Sequence, residues 1–187
     1  DAERLLREVE ELVRRLEEEM EKTDREIKEL IKRLEERLRT TSREIKKLIE
    51  DLEREARERT RSEEVDRIVK EVIERLKRVL DKNNEIMERA RERLERLLEE
   101  NKKIVDEVLK ELKELIDRLK DLVDKNGGRE VLKKVIDEIR KLVKRVKDES
   151  KRSLDEIRKL AEEVDRRSKK VLDEIRRLVD EVRERLR

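Results

Sequence analysis

The sequence of 187 residues has no Phe, Trp, Tyr, Pro, Cys or His, and 59% of it is charged, 56 basic side chains against 54 acidic for a net charge of +2. An aromatic-centred core, a disulfide framework and catalysis through a His or Cys are thereby excluded. What remains, chiefly Glu, Arg, Lys and Leu in helical periodicity, is the composition of long helices and coiled coils.

A first helical segment is expected over about residues 2–59. Its apolar residues fall at Val9, Leu12, Leu16 and Met20, then Ile27, Leu30, Leu34 and Leu38, then Ile45, Leu48, Leu52 and Ala56. Steps of three and four mark one buried helical face. The pattern pauses at Arg59-Thr60-Arg61-Ser62, where Ser62 can accept from the first amides of the next helix and Glu63 and Glu64 lie favourably against its positive end. A second segment follows over about 63–125, carried by Val65, Ile68, Val72, Leu76 and Val79 and continuing to Leu122 and Val123. It stops at Lys125-Asn126-Gly127-Gly128, which holds the only two glycines of the chain and supplies the left-handed residue that closes a helix. The third segment spans about 129–186. Each helix is about 60 residues, or roughly 90 Å at ~1.5 Å per residue.

Short turns make consecutive helices antiparallel neighbours. The expected fold is therefore all-α, a straight, antiparallel, up-down-up three-helix bundle of coiled-coil type, with residues 1–187 as one bundle.

Polar residues break the apolar pattern at regular intervals. Thr23-Asp24-Arg25-Glu26-Ile27-Lys28 recurs eighteen residues on as Thr41-Ser42-Arg43-Glu44-Ile45-Lys46, while Asn83 recurs as Asn101 and Ser150 as Ser168. Eighteen residues are about five turns at ~3.6 residues each, so each repeat returns to the same angle on a straight helix. Folding the chain back about Ser62 pairs Thr23 with Asn101, Thr41 with Asn83, and Leu5 with Leu119. Folding it about Lys125 and Asn126 pairs Asn101 with Ser150, Asn83 with Ser168, and Leu119 with Leu132. Two polar layers result, Thr23/Asn101/Ser150 and Thr41/Asn83/Ser168. Leu5/Leu119/Leu132 seals one end and Val65 with Leu186 the other.

On a helical wheel each of these polar positions lies inside its helix's apolar arc, which covers roughly 100–140°. Burial is expected for all six. An Asn carboxamide both donates and accepts, as do Thr and Ser hydroxyls, so one Asn can link hydroxyls from two other helices. Left unpaired, such a group costs about 1–3 kcal/mol, whereas a satisfied pair contributes only about 0.5–1.5 kcal/mol net. The layers therefore act mainly against wrong packings, in which Asn would face Leu. Asp24, Ser42 and Asn84 lie just outside the arcs and can either extend the networks or face water. Ser153 lies inside the third arc, where its repeats are Val135 and Val171, and is expected to be buried. Ala90 and Ala161 share a level opposite Leu34, which suggests close approach of the second and third helices or, alternatively, a small internal cavity; neither is expected to make a ligand site.

Catalysis has little to work with. Asp and Glu alternate with Lys and Arg, as in a salt-bridged solvent face, which argues against a buried carboxylate pair. Bundle metal sites use inward-facing Glu and Glu-x-x-His sets, whereas this core offers amides and hydroxyls. No catalytic, cofactor or metal residue is assigned, and no cofactor is expected. Basic residues form no stripe and have no aromatic stacking partners, so no nucleic acid is expected as partner. No apolar run approaches a membrane span and no signal-peptide pattern is present, which leaves localisation undetermined.

The eighteen-residue repeat, the Thr/Asn/Ser layers, the Leu/Ile/Val core and the Glu/Lys/Arg surface together resemble de novo designed parametric helical bundles with buried hydrogen-bond networks. The resemblance covers the whole chain. It implies a hyperstable scaffold without substrate, cofactor or required partner, and the non-identical helices suit a monomer. Two other classes compete with that reading. One is a helical interaction module or component of a designed hetero-assembly; natural rods of this kind carry the core aromatics absent here. The other is an amphipathic lipid-surface bundle, which would carry Trp or Phe on its apolar faces.

Overall fold

The structure, a computed structural model, describes residues 2–59 and 62–186. Three helices account for almost all of them: α1 (Ala2–Glu58), α2 (Glu63–Asp124) and α3 (Arg129–Leu186). Their ends fall within about a residue of the positions expected from capping and periodicity. Of the first pause, Thr60 and Arg61 lie outside the described residues.

Local chemistry sets the helix ends. Ser62 caps α2: its Oγ accepts from the Val65 N–H at 3.3 Å and its carbonyl accepts from Asp66 at 3.0 Å. Glu63, Glu64 and Asp66 then occupy the positive first turn. At the other end of α2, Asn126 N–H donates to the Val123 carbonyl at 3.2 Å and Gly127 N–H to the Leu122 carbonyl at 2.7 Å. These two bonds form a Schellman cap. Its left-handed residue is Asn126, with φ of 53°, and neither glycine has a positive φ. Asn tolerates that region better than most residues because its short amide can bond locally. Gly127 matters for space instead: a Cβ there would crowd the Leu122 carbonyl oxygen at 3.1 Å, so the neighbour would have to give by a few tenths of an ångström.

Compactness divides the chain into two units, each built from a stretch of all three helices. The first comprises Asp1–Glu29 with Leu94–Arg158, and the second Leu30–Arg93 with Lys159–Arg187. Within the first unit, ion pairs join Glu19 to Lys147 and Glu26 to Arg158, so residue numbers on α1 and α3 rise together and the two run parallel. Helix α2 opposes them, with Glu10 pairing to Lys120 while Thr23 shares a cleft with Asn101. The second unit repeats the arrangement. Arg37–Asp165, Glu44–Arg176 and Glu55–Arg183 pair α1 with α3, while Ser42–Asn84 and Glu53–Lys77 run in opposite senses along α1 and α2. Such exposed pairs fix little energy, about 0–1 kcal/mol each.

Stability comes from the apolar faces. The first unit buries Leu16, Leu112, Leu119, Ile139 and Val146, with Leu132 in the same cluster and Leu5 packed against it. The second buries Ile45, Leu52, Leu76, Ile175 and Val179, with Val65 and Leu186 against that cluster. Each such side chain contributes roughly 1.5–3 kcal/mol by leaving water. Three amphipathic helices closing on one another in this way are an all-α bundle.

Candidate functional site

The polar core positions are the chain's departure from an all-aliphatic interior. In the second unit they are fully enclosed: Thr41 is 1% exposed, Asn83 3% and Ser168 2%. In the first unit Ser150 is buried at 8%, as is the neighbouring Ser153 at 7%, while Thr23 and Asn101 are half-buried. The same repeat position thus meets two environments.

Neighbouring residues explain the difference. Eighteen residues apart, Met20 stands where the second unit has Leu38, Val105 where it has Met87, and Asp24 and Lys102 where it has Ser42 and Asn84. The shorter Val105 and the two charged residues leave a cleft of about 460 Å³ between α1 and α2, lined by Thr23, Asn101 and Ser150 together. A second cleft of about 280 Å³, between α1 and α3, also reaches Thr23 and Ser150. The first polar layer therefore stands at the meeting of two surface grooves, whereas Thr41, Asn83 and Ser168 are walled in.

Hydrogen bonding differs as well. In the first unit Ser153 Oγ donates to Asn101 Oδ1 at 3.1 Å, joining α3 to α2. Ser150, one turn earlier on α3, was the expected partner of that carboxamide. In the second unit the residue equivalent to Ser153 is Val171, which has no hydroxyl to offer. Asn83 instead directs its Nδ2 at the Met87 sulfur, 3.9 Å away in its own helix, a weak acceptor. Thr41 Oγ1 donates to the Arg37 carbonyl at 2.9 Å, again within one helix. A threonine hydroxyl has that carbonyl always in reach, so it competes well against a partner on another helix. Among the described residues no side-chain hydrogen bond joins Asn83 to Thr41 or Ser168.

The flanking residues divide similarly. Ser42 Oγ donates across helices to Asn84 Oδ1 at 3.4 Å near the surface. Asp24 is exposed and pairs with Lys28 at 3.0 Å on its own helix. Sequence reasoning did not single out Met20, Val105 or Met87, although comparing repeat-related neighbours carries the signal.

These groups supply hydrogen-bond donors and acceptors but no titratable function. Arg37 Nε, buried, lies 3.0 Å from Asp165 Oδ1, an ion pair without the alignment of a hydrogen bond. On the surface, a hydrogen bond from Arg14 at 2.6 Å, reinforced by the positive charges of Arg14 and Arg15, holds the Glu11 carboxyl below the usual range. The same bond raises the Arg14 guanidinium. Among the described residues no group of three or more His, Cys, Asp or Glu is placed to hold a metal ion. No helix is long and apolar enough to cross a membrane.

Compared with protein-family models, curated proteins and solved structures, the chain matches none.

Proposed function

We propose that this chain is a designed structural scaffold, with no substrate or cofactor, in which polar core positions select one packing of three otherwise permissive helices. The observation that carries this reading is the burial of Thr41, Asn83 and Ser168 at one repeat position on three helices. Apolar residues there would pack at least as favourably, since an imperfectly satisfied buried polar group costs about 1–3 kcal/mol. Three such residues in register are retained for specificity: a slipped or swapped bundle would set Asn83 against a leucine. Aliphatic cores and mixed surface charges in both units support a role in holding shape.

The deciding experiment replaces the layer as a whole, Thr41→Val with Asn83→Leu and Ser168→Ala. Guanidinium unfolding is expected to show equal or greater stability, while amide spectra broaden or additional oligomers appear beside the monomer. A variant that stays a single sharp species of unchanged mass would remove the specificity role. The parent chain is expected to be monomeric by light scattering, with a thermal midpoint above ~90 °C. An elution shift on adding a particular partner would favour an interaction module instead.

A further inference from the structure

In the second unit a cleft of about 220 Å³ opens between α2 and α3. It lies beside Ala90, where the matched alanines suggested close helix approach; Ala90 is buried in the floor and Ala161 is not among the lining residues. Ile86 from α2 and Leu160 and Val164 from α3 complete an aliphatic floor that a methyl side chain at position 90 leaves unfilled. The rim carries three cations and one anion: Arg89, Arg93 and Arg167 around Glu163.

Those rim charges are not evenly matched. Glu163 is engaged by Arg167 at 2.9 Å. Arg89 and Arg93 have no ion-pair partner among the described residues. They stand four residues apart on one helix, where like charges repel. The repeat makes the cluster more informative still. Eighteen residues from Arg89, Ala90 and Arg93 stand Glu107, Val108 and Glu111, and eighteen before Glu163 and Arg167 stand Arg145 and Glu149. Every rim charge is reversed there and the floor alanine is a valine. A cationic rim beside a floor alanine is therefore a local departure from the repeat and not a product of it.

Unpaired guanidinium groups present planar donor forks that match a carboxylate or sulfonate, and they stack on flat rings. An aliphatic floor takes hydrocarbon. The cleft is smaller than the roughly 300–1,000 Å³ of drug-sized sites, which limits the occupant to one or two rings. We infer that this cleft is a binding site for small aromatic monoanions, carboxylates or sulfonates, with the ring on Ala90, Leu160 and Val164 and the anionic group between Arg89 and Arg93.

The chain suits a direct test, because without Phe, Tyr or Trp any ring-current shift in its methyl spectrum comes from the added molecule. Naphthalene-1-sulfonate titrated into the full chain is expected to move the methyl resonances of Ala90, Leu160 and Val164 saturably, with a dissociation constant on the order of 1 mM for so small a ligand. Methyls of the repeat-related, buried Val108 and Val146 serve as an internal control and should stay in place. The neutral analogue 1-naphthalenemethanol should bind about tenfold more weakly, as should the sulfonate to the Arg89→Glu/Arg93→Glu variant, for loss of the charge-assisted bonds. Ala90→Val should weaken it comparably by filling the floor, without altering charge. Arg89 and Arg93 are on the surface and Ala90→Val adds two methyl groups beside an unfilled cleft, and helical circular dichroism verifies that each variant is folded. Parallel movement of both methyl sets, absence of saturation up to about 10 mM, or a dissociation constant unchanged by the paired Arg→Glu substitutions would overturn the assignment.

Discussion

The polar layers of the two units are related by an eighteen-residue repeat, yet they behave differently. Around Thr23, Asn101 and Ser150 the helices leave two grooves, and the carboxamide finds a hydroxyl on another helix. Around Thr41, Asn83 and Ser168 the packing is closed, and Thr41 and Asn83 bond within their own helices. One substitution bears directly on the hydrogen bonding: Ser153 in the first unit is Val171 in the second. A polar residue's worth in a core is set by its neighbours more than by its own burial.

Four measurements would break or sharpen the comparison. The largest effects should come from the aliphatic frame that the units share. Ile27 and Ile45 are repeat-related and buried at 1% and 0%, and truncating either to Ala should cost about 2–5 kcal/mol in guanidinium unfolding. Values that differ by more than that range would mean that one unit packs more loosely throughout, and the polar layer would lose its special standing.

Next come the two asparagines, for which opposite signs are expected. Asn101→Ala strands the buried Ser153 hydroxyl and should cost about 1–3 kcal/mol more than Lys102→Ala. Asn83→Leu removes a carboxamide held only by a thioether, and should be neutral or stabilising by up to about 2 kcal/mol. Loss of stability in both variants would show that Asn83 is better satisfied than its geometry suggests.

Thr41→Val should change stability by less than about 1 kcal/mol, since only a hydrogen bond within its own helix is lost. A larger loss would reveal a role for this hydroxyl between helices.

The smallest effect is a surface one in the first unit. Because the Glu11 carboxyl is held below its ordinary value of 4.5 in the folded chain, its pairing with Arg14 stabilises fully above that value. The contribution fades as pH falls through the lowered folded value. Arg14→Ala should move the Glu11 titration upward in a carboxyl-detected spectrum. An unmoved titration would mean that the ion pair is not held in solution.

The fold was legible in detail, and for physical reasons. Ser62 announces its cap by type and position, and steps of three and four cannot belong to a strand. The angular positions of Thr41, Asn83 and Ser168 inside their apolar arcs are equally readable. Choice of partner was not. Matching residues by level pairs Asn101 with Ser150, but helical side chains lean toward their own N-termini. In an antiparallel pair both lean past the level line, so the atoms that meet belong to residues about one to two positions further along each chain. Asn101 with Ser153, and Ser42 with Asn84, show that displacement. Parallel helices lean together, which is why α1 and α3 pairs such as Arg37–Asp165 keep close to the offset of their polar repeats. The left-handed role of Asn126 was hidden for another reason, since adjacent glycines could fill it equally well on steric grounds.

The Schellman cap at that residue also governs how the chain ages. Asn126 followed by Gly127 leaves the backbone nitrogen open to attack the side-chain amide carbon, closing a succinimide and expelling ammonia, because glycine has no side chain in the way. In the folded chain the hydrogen on that nitrogen is committed to the Leu122 carbonyl at 2.7 Å. Ring closure has to wait until the last turn of α2 frays. Deamidation at Asn126 is therefore a slow clock that ticks only while the cap is open, and its accumulation in stored protein reads out the local stability of the turn joining α2 to α3.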